Sequence, residues 1–295
     1  MRDLNRYSPA AKILSLKMTG QVGPRTFGLL MAHFITVNDI LLAEEAELME
    51  LPGIGPGRSG AIFKADGNLD QAQTTLDDLE ASDTKAVTCL DDDYPSMLTE
   101  LNDPPLILYF KGRLPATHEK RVAIIGSQEV SAEGIGDAVK LAKRLVHDGV
   151  AIIGGLARGI DTAGHMGALK AEGATYAVLP CGFNQIYPAE NESLAVEISR
   201  TGGLISEYLP DTPVKSSRLL NRNRLIVGLS QAVVIGEMSP ESVGTLDAAL
   251  CCHHLGKLLF AVVGDHNRHL DKLAEYGAIP LTGIDQYAMI LSSLV

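Results

Sequence analysis

Apolar positions change their spacing along this chain near residue 85. Before that point they recur at helical intervals in short blocks, separated by Gly- and Pro-bearing loops and without a run rich in β-branched residues. After it, short runs dense in Val, Ile and Leu alternate with amphipathic stretches. Residues 122–126 and 150–154 both read VAIIG, and with 175–180, 204–208, 232–237 and 258–263 they predict six buried strands. Between the first two, SAEGIGDAVKLAKRLVHDG places Ile135, Ala138, Val139, Ala142 and Val146 at helical spacing, which predicts a face packed on a sheet. Strand, helix, strand, repeated with right-handed crossovers, predicts an α/β fold: an extended Rossmann-like, doubly wound parallel sheet. The polar, acidic stretch KADGNLDQAQTTLDDLEASDTK marks the boundary between a small all-α domain, residues 1–85, and the Rossmann-like domain, residues 86–295.

In the front domain, LPGIGPGRSGAIFKA begins at Leu51. Gly53, Gly55 and Gly57 allow a tight hairpin between two helices, with Leu51 and Ile54 packing inward. That spacing resembles the helix-hairpin-helix motif, whose loop amides hold a DNA phosphate. A plain helical corner that needs glycine satisfies the same spacing. Glu44, Glu45, Glu47 and Glu50 beside it weigh against nucleic acid at this domain.

Charge narrows the partners. The chain carries 36 acidic and 25 basic residues, a net charge of -11, which excludes a broad polybasic surface; a polyanion would have to be met by a local patch. The first residues lack the apolar core of a leader and no apolar run reaches membrane-spanning length, so a cytoplasmic protein without a membrane partner is expected. Cys89, Cys181, Cys251 and Cys252 show no framework spacing, so reduced thiols are expected. CCHH at 251–254 occupies four consecutive helical positions that point in four directions. It cannot enclose a metal ion, and neither metal nor cofactor is expected.

In such sheets the ligand crevice lies at the C-terminal strand ends. Three post-strand loops are candidates there: Gly126, Ser127 and Gln128; GGLARGID from Gly154 to Asp161, with Gly155, Arg158 and Gly159; and EMSPESVGTL, with Gly244 and Thr245. The glycines would let a backbone approach a phosphate, the following helix amides would donate to it, and Arg158 would add a fork of donors. Glycines that serve only tight turns are the plainer alternative. A basic run, Lys215, Arg218, Arg222 and Arg224, has no acidic residue within it and precedes the fifth predicted strand at what reads as a helix start. It should face the same crevice. Asn221 and Asn223, interleaved with it, are placed to cap the helix or to bond a base or sugar. The plainer alternative is a solvated helix face, with arginines paired to carboxylates such as Glu207 or Glu237. Asp161 reads as the N-cap of the helix after ARGID, and His165 as a packed or capping histidine with no nucleophile to serve. No nucleophile elbow, Walker lysine loop or HExxH is present, so no catalytic residue is assigned.

DDDYPSMLTELNDPPLILYFKG, VAIIGSQ, GGLARGIDTAGHMGALKAEGATYAVLPCGFNQIYPAEN, LISEY and NRNRLIVGLS, in this order, resemble the DNA-processing protein A family, DprA/Smf, over roughly residues 90–265. The resemblance implies a non-enzymatic protein that binds and protects incoming single-stranded DNA, forms a homodimer and loads RecA recombinase in natural transformation. It also implies a front end that is helix-hairpin-helix or sterile-alpha-motif-like. Departures from the family pattern fall at Gln128, where an arginine is usual, at Leu219 and Leu220, where an aromatic-proline pair is usual, and at SVGTL. A C-terminal winged-helix domain is not expected, since the chain ends at Val295. Two other readings compete. One is a nucleotide-binding or LOG-like phosphoribohydrolase-type Rossmann protein, suggested by Gly244, Thr245 and the nearby Glu237 and Glu241. The other is a scaffold that acts through partner contacts alone.

Overall fold

In the computed structural model, which describes residues 3–239, 241–264, 267 and 270–294, a short 3-10 turn, Leu4–Arg6, leads into a capped helix. Ser8 accepts from the Ala11 amide and Pro9 occupies the first turn, which starts α1, Pro9–Met18. There follow α2, Pro24–His33, α3, Val37–Leu42, α4, Glu45–Met49, α5, Pro56–Phe63, and α6, Leu69–Ala81. Ile13, Leu16, Leu30, Ile40, Leu48, Ile62 and Leu69 point inward and are fully buried. Thr36 and Asp39 close a reciprocal capping box on α3.

This first unit spans Met1–Tyr94 and Asn102–Tyr109, so it runs past the boundary expected at residue 85. The cause is a short strand, β1, Lys85–Thr88, that packs on α1 and α6. A segment from further along the chain then joins it: the Cys89 amide donates to Leu106 O at 3.0 Å and the Tyr94 hydroxyl to Pro105 O at 2.8 Å. β2, Ile107–Gly112, begins in this unit and ends in the next. Neither strand was expected from the sequence pattern. Residues 1–94 hold fifteen acidic side chains against eight basic ones, so most of the chain's excess negative charge lies here.

The second unit, Pro95–Leu101 with Phe110–Val295, contains a parallel sheet. Its elements in chain order are β3, Lys120–Ile125; α7, Ala132–His147; β4, Val150–Gly154; α8, Ile160–Lys170; β5, Thr175–Val178; α9, Glu192–Thr201; β6, Gly203–Ser206; α10, Ser216–Asn221; α11, Asn223–Gly228; β7, Ala232–Ile235; α12, Val243–His254; β8, Leu258–Val262; α13, Leu270–Ala274; β9, Ile279–Leu281; and α14, Tyr287–Ser292. Within this unit the order is β6-β5-β4-β3-β7-β8-β9, every pairing parallel. All six expected strands are present. Each is buried on both faces, as the unbroken apolar runs required.

From β3 the chain winds one way through β4, β5 and β6, then returns to β7 and winds the other way. The reversal lies between β3 and β7, and a crevice opens outside the carboxyl ends of strands at such a switch point. The packed face of α7 differs from the expectation. Gly134, Ala138, Leu141, Ala142 and Leu145 are buried, Val139 and Val146 are partly so, and Ile135 is exposed. The helix is rotated because α8 approaches closely: a β-carbon on Gly167 would meet the Val139 backbone and Ala142. The run 215–224, expected as one helix start, forms two six-residue helices that meet at Arg222.

Candidate nucleic-acid interface

The loops after β3, β4 and β7 converge on one crevice of about 570 Å³. Gly126, Ser127, Gln128, Gly155, Arg158, Arg222, Asn223, Gly244 and Thr245 line it, joined by Leu219 and Leu220 of α10. Lys215, the residue that starts α10, is exposed and neighbours the lining residue Ser216. Arg218, Asn221, Arg224 and Gly159 belong to the same segments without lining the crevice. Gly53, Gly55 and Gly57 belong to the first unit: Gly53 and Gly55 lie in the tight turn between α4 and α5, and Gly57 lies in the first turn of α5. Gly53 takes a positive φ, Gly55 starts α5, and Leu51 and Ile54 are buried.

Most post-strand glycines are explained by protein neighbours, not by open space for a ligand. A β-carbon on Gly126 would meet Ile160 and Glu237 O; on Gly154, His165; on Gly155, the Arg222 guanidinium; on Gly159, the carbonyls of Ser127 and Gln128. Gly159 also takes a positive φ at the start of α8. Gly244 differs, since among the described residues nothing lies near its β-carbon position, and it opens α12 toward the crevice. Ser127, Ser239 and Ser242 join hydroxyl to hydroxyl beside it, and Ser127 also accepts from the Ser239 amide at 2.7 Å.

The four basic residues of 215–224 have separate fates. Arg222 is only 6% exposed. Its Nη1 donates to Gly155 O and to Val178 O, so it ties the ends of β4 and β5 together beneath the crevice. Among the described residues its Nε has no hydrogen-bond partner. Arg224 pairs with Glu207 at 2.7 Å, the carboxylate pairing that the plainer alternative named. Arg218 donates to Pro213 O and lies over the Tyr208 ring, 4.9 Å from its centroid. Asn223 is buried and donates to Gly244 O at 3.0 Å and Asp247 Oδ2 at 2.8 Å, which fixes α11 against the first turns of α12. Asn221 is exposed. Arg158, exposed on the crevice wall, holds Glu190 through Nε and Nη2.

Beneath the crevice Asp161 is buried in the first turn of α8, after an N-cap residue, Gly159, that has no side chain to cap with. The expected N-cap role is therefore corrected: Asp161 accepts from Gly155 N at 2.7 Å and from the amides of Ala157 and Gly126, and so orders the loops rather than its own helix. Burial pushes its carboxyl up to about 6, against the opposing pull of Arg222 and those amides. His165 is fully buried. The Thr175 hydroxyl donates to Ile152 O and accepts from His165 Nδ1 at 2.7 Å, so Nδ1 carries the hydrogen. Burial, then the Arg222 charge, pull this imidazole down to about 3, and it stays neutral at ordinary pH. Glu237 is bound by Ser131, whose amide donates to Oε1 at 3.1 Å and hydroxyl to Oε2 at 2.7 Å. That use as an anchor for the start of α7 leaves it poorly placed as a hydrolase carboxylate.

The charge of the crevice is mixed. Arg158 and Arg222 line it together with Glu129, Asp161 and Glu241, so the expected positive slot is not a ring of cations. Its positive character comes from Lys215 and Arg218 on the adjoining segment and from the start of α12, which has no side-chain cap and lines the crevice with Gly244 and Thr245. At α8 the Ile160 and Thr162 amides already donate to Ser127 O and Ala157 O. Sequence reasoning missed Glu129, Glu190, Ser239 and Ser242. The serines lie in a loop already singled out; Glu190 is 32 residues from Arg158 and gives no local signal.

Residues 85–291 match the model of the DNA recombination-mediator protein A family. The chain belongs to this family. Protein Smf of Synechocystis is 32% identical over 82% of this chain and 61% of its own length, and the DNA processing protein DprA of Streptococcus pneumoniae is 36% identical over 59% of this chain and 61% of its own. The chain thus spans about three fifths of these relatives. Among solved structures, that of S. pneumoniae DprA is similar over 98% of both chains, with 27% identity and a TM-score of 0.75. DNA processing protein A of Helicobacter pylori, whose structure describes a single-stranded DNA binding mode, is similar over 72% of this chain and 97% of its own, with 27% identity and a TM-score of 0.64. Within the DprA/Smf frame, the departures expected at Gln128, Leu219 and Leu220 all fall on the crevice: Gln128 is exposed on its wall, and the two leucines give it an aliphatic lip. No helix among the described residues is long and apolar enough to cross a membrane.

Proposed function

We propose that this chain binds single-stranded DNA at the crevice, acts as a homodimer, and presents the strand to RecA recombinase during natural transformation. The observation that carries the reading is the meeting, at the switch point of the sheet, of the start of α12 with Arg158 and the Lys215–Arg218 segment. Amides and a few cations grip phosphates without reading sequence, and the aliphatic lip of Leu219 and Leu220 offers apolar surface to an unstacked base. Duplex keeps its bases stacked inside and is held off by the acidic remainder of the chain. The family to which the chain belongs, and the single-strand binding of the H. pylori relative, support the same ligand. Arg222 and Asn223 serve this site from below by holding its walls, and the exposed rim meets the strand.

A dimer would place two modest sites on one strand and raise avidity through effective concentration, without any new contact type. Binding is tested by gel shift with a labelled oligo-dT and the matching duplex. A shift confined to the single strand is expected; no shift, or an equal shift of the duplex, refutes the assignment. The RecA step is tested separately by RecA ATPase on strands precoated with single-strand binding protein, where added chain should shorten the lag. An unchanged lag refutes that step alone.

A further inference from the structure

The exposed arginine of the crevice wall is already holding an oxyanion. Arg158 Nε and Nη2 each donate to one oxygen of Glu190, at 2.5 and 2.6 Å, the two-pronged geometry in which a guanidinium also takes a phosphate. This carboxylate is held in place. Glu190 sits in the short turn Ala189–Asn191, and the next side chain, buried Asn191, donates to Leu156 O at 2.8 Å and Thr162 Oγ1 at 2.9 Å, on either side of Arg158. The backbone that carries Glu190 is thereby moored to the loop that carries Arg158.

Exposure separates this pair from its neighbour. The side chains of Arg158 and Glu190 are 52% and 54% exposed, against 17% and 14% for Arg224 and Glu207. An exposed pair adds little to stability and exchanges readily, whereas a half-buried one is dearer to open. The fold therefore has little need of Glu190, although the turn aims it at the one crevice-lining arginine that solvent can reach.

We propose that Glu190 is a specificity residue: its carboxylate stands in for a DNA phosphate on Arg158, and an incoming strand must displace it. This rests on the single-strand reading above and adds to it a filter. A tethered carboxylate competes at the high effective concentration of an intramolecular partner. Inorganic phosphate or a mononucleotide, with a single contact to offer, loses that competition. A strand wins because its other phosphates are held at the same time by the start of α12, Lys215 and Arg218. Selection for polymer over monomer then needs no base contact.

The test is a double-mutant cycle of Glu190→Gln and Arg158→Ala, read by fluorescence anisotropy of labelled oligo-dT over a salt series, with dTMP as competitor. Both positions are exposed, and a thermal melt checks each variant's fold. Glu190→Gln should tighten oligo-dT binding about two- to fivefold, the range over which an exposed ion pair acts. It should also steepen the salt dependence by up to about 0.7 in log-log slope, because no freed carboxylate recaptures a cation. dTMP should compete better against the variant than against the wild type. In the Arg158→Ala background the same substitution should change nothing. An equal gain in that background would mean a general loss of negative charge and would overturn the proposal. So would unchanged binding by Glu190→Gln while Arg158→Ala weakens it. If the unaltered chain does not bind oligo-dT, or Arg158→Ala binds as tightly as wild type, the single-strand reading of this wall fails first and the filter goes with it.

Discussion

Replacing Arg222 by Met separates the floor of the crevice from its rim. The substitution keeps most of the side-chain volume and removes the charge and both donors. Gly155 O and Val178 O then lose a partner inside the protein, where an unsatisfied group costs about 1–3 kcal/mol. Asp161 also loses the one cation that opposes its burial. These losses overlap, and breaking a buried charge pair from one side costs about 3–5 kcal/mol, which we take as the total at neutral pH. For a unit of this size that corresponds to a fall in Tm of roughly 6 to 20 °C.

The pH dependence of this loss has a definite sign. Asp161 titrates at about 6 in the folded chain, above the ordinary aspartate range, so its contribution is fullest below that range and is lost as pH rises through 6. Without Arg222 its carboxyl is pushed higher still and holds its proton in the fold. The stability gap between wild type and variant should therefore be wide at pH 8 and narrow toward pH 5. Differential scanning calorimetry at the two pH values, with oligo-dT binding measured below the melt, gives both quantities. A variant that melts within about 2 °C of wild type yet no longer binds DNA would refute the floor assignment and return Arg222 to the ligand.

Three further outcomes are expected. Gly155→Ala places a methyl group on the Arg222 guanidinium and should lower stability by roughly 1–3 kcal/mol in a urea titration; an unchanged midpoint would show that the two are not in contact. His165 is held neutral, with its pKa depressed to about 3, so the stability it contributes is present above its ordinary pKa and is lost as pH falls toward 3. A His165→Gln variant should show a flatter acid limb when urea midpoints are measured across pH, and identical acid limbs would contradict this. Leu220→Phe, on the exposed lip of the crevice, adds a stacking face and should tighten oligo-dT binding about fivefold or more, since stacking a base is worth roughly 1–3 kcal/mol; unchanged or weaker binding would place the bases elsewhere.

The parallel sheet was legible because strands buried on both faces must be apolar throughout, and runs such as VAIIG at 122–126 and 150–154 have no other economical reading. β9, three residues with a central proline, carries too little pattern to be read, and β1 is distinguishable only by what packs on it. The convergence of three loops was legible from topology. The division of labour within the basic run was not, because charge says nothing of depth: Arg222 and Arg224 are two residues apart, yet one ties strand ends beneath the crevice and the other pairs with Glu207. The glycines misled for a related reason. A residue without a side chain signals close approach but not what approaches, and at Gly126, Gly155 and Gly159 it is the protein itself. Glu190 was invisible because its partner lies 32 residues away in another loop.

The most direct test of the account is the salt dependence of oligo-dT affinity for the wild type and for the combined Lys215→Ala and Arg218→Ala variant, followed by anisotropy. Neither residue lies in the buried floor, so the melt should hold. Two lost phosphate contacts should weaken binding and lower the log-log salt slope by about 1.4. An affinity and slope equal to those of the wild type would contradict the claim that this segment forms the rim that grips the strand.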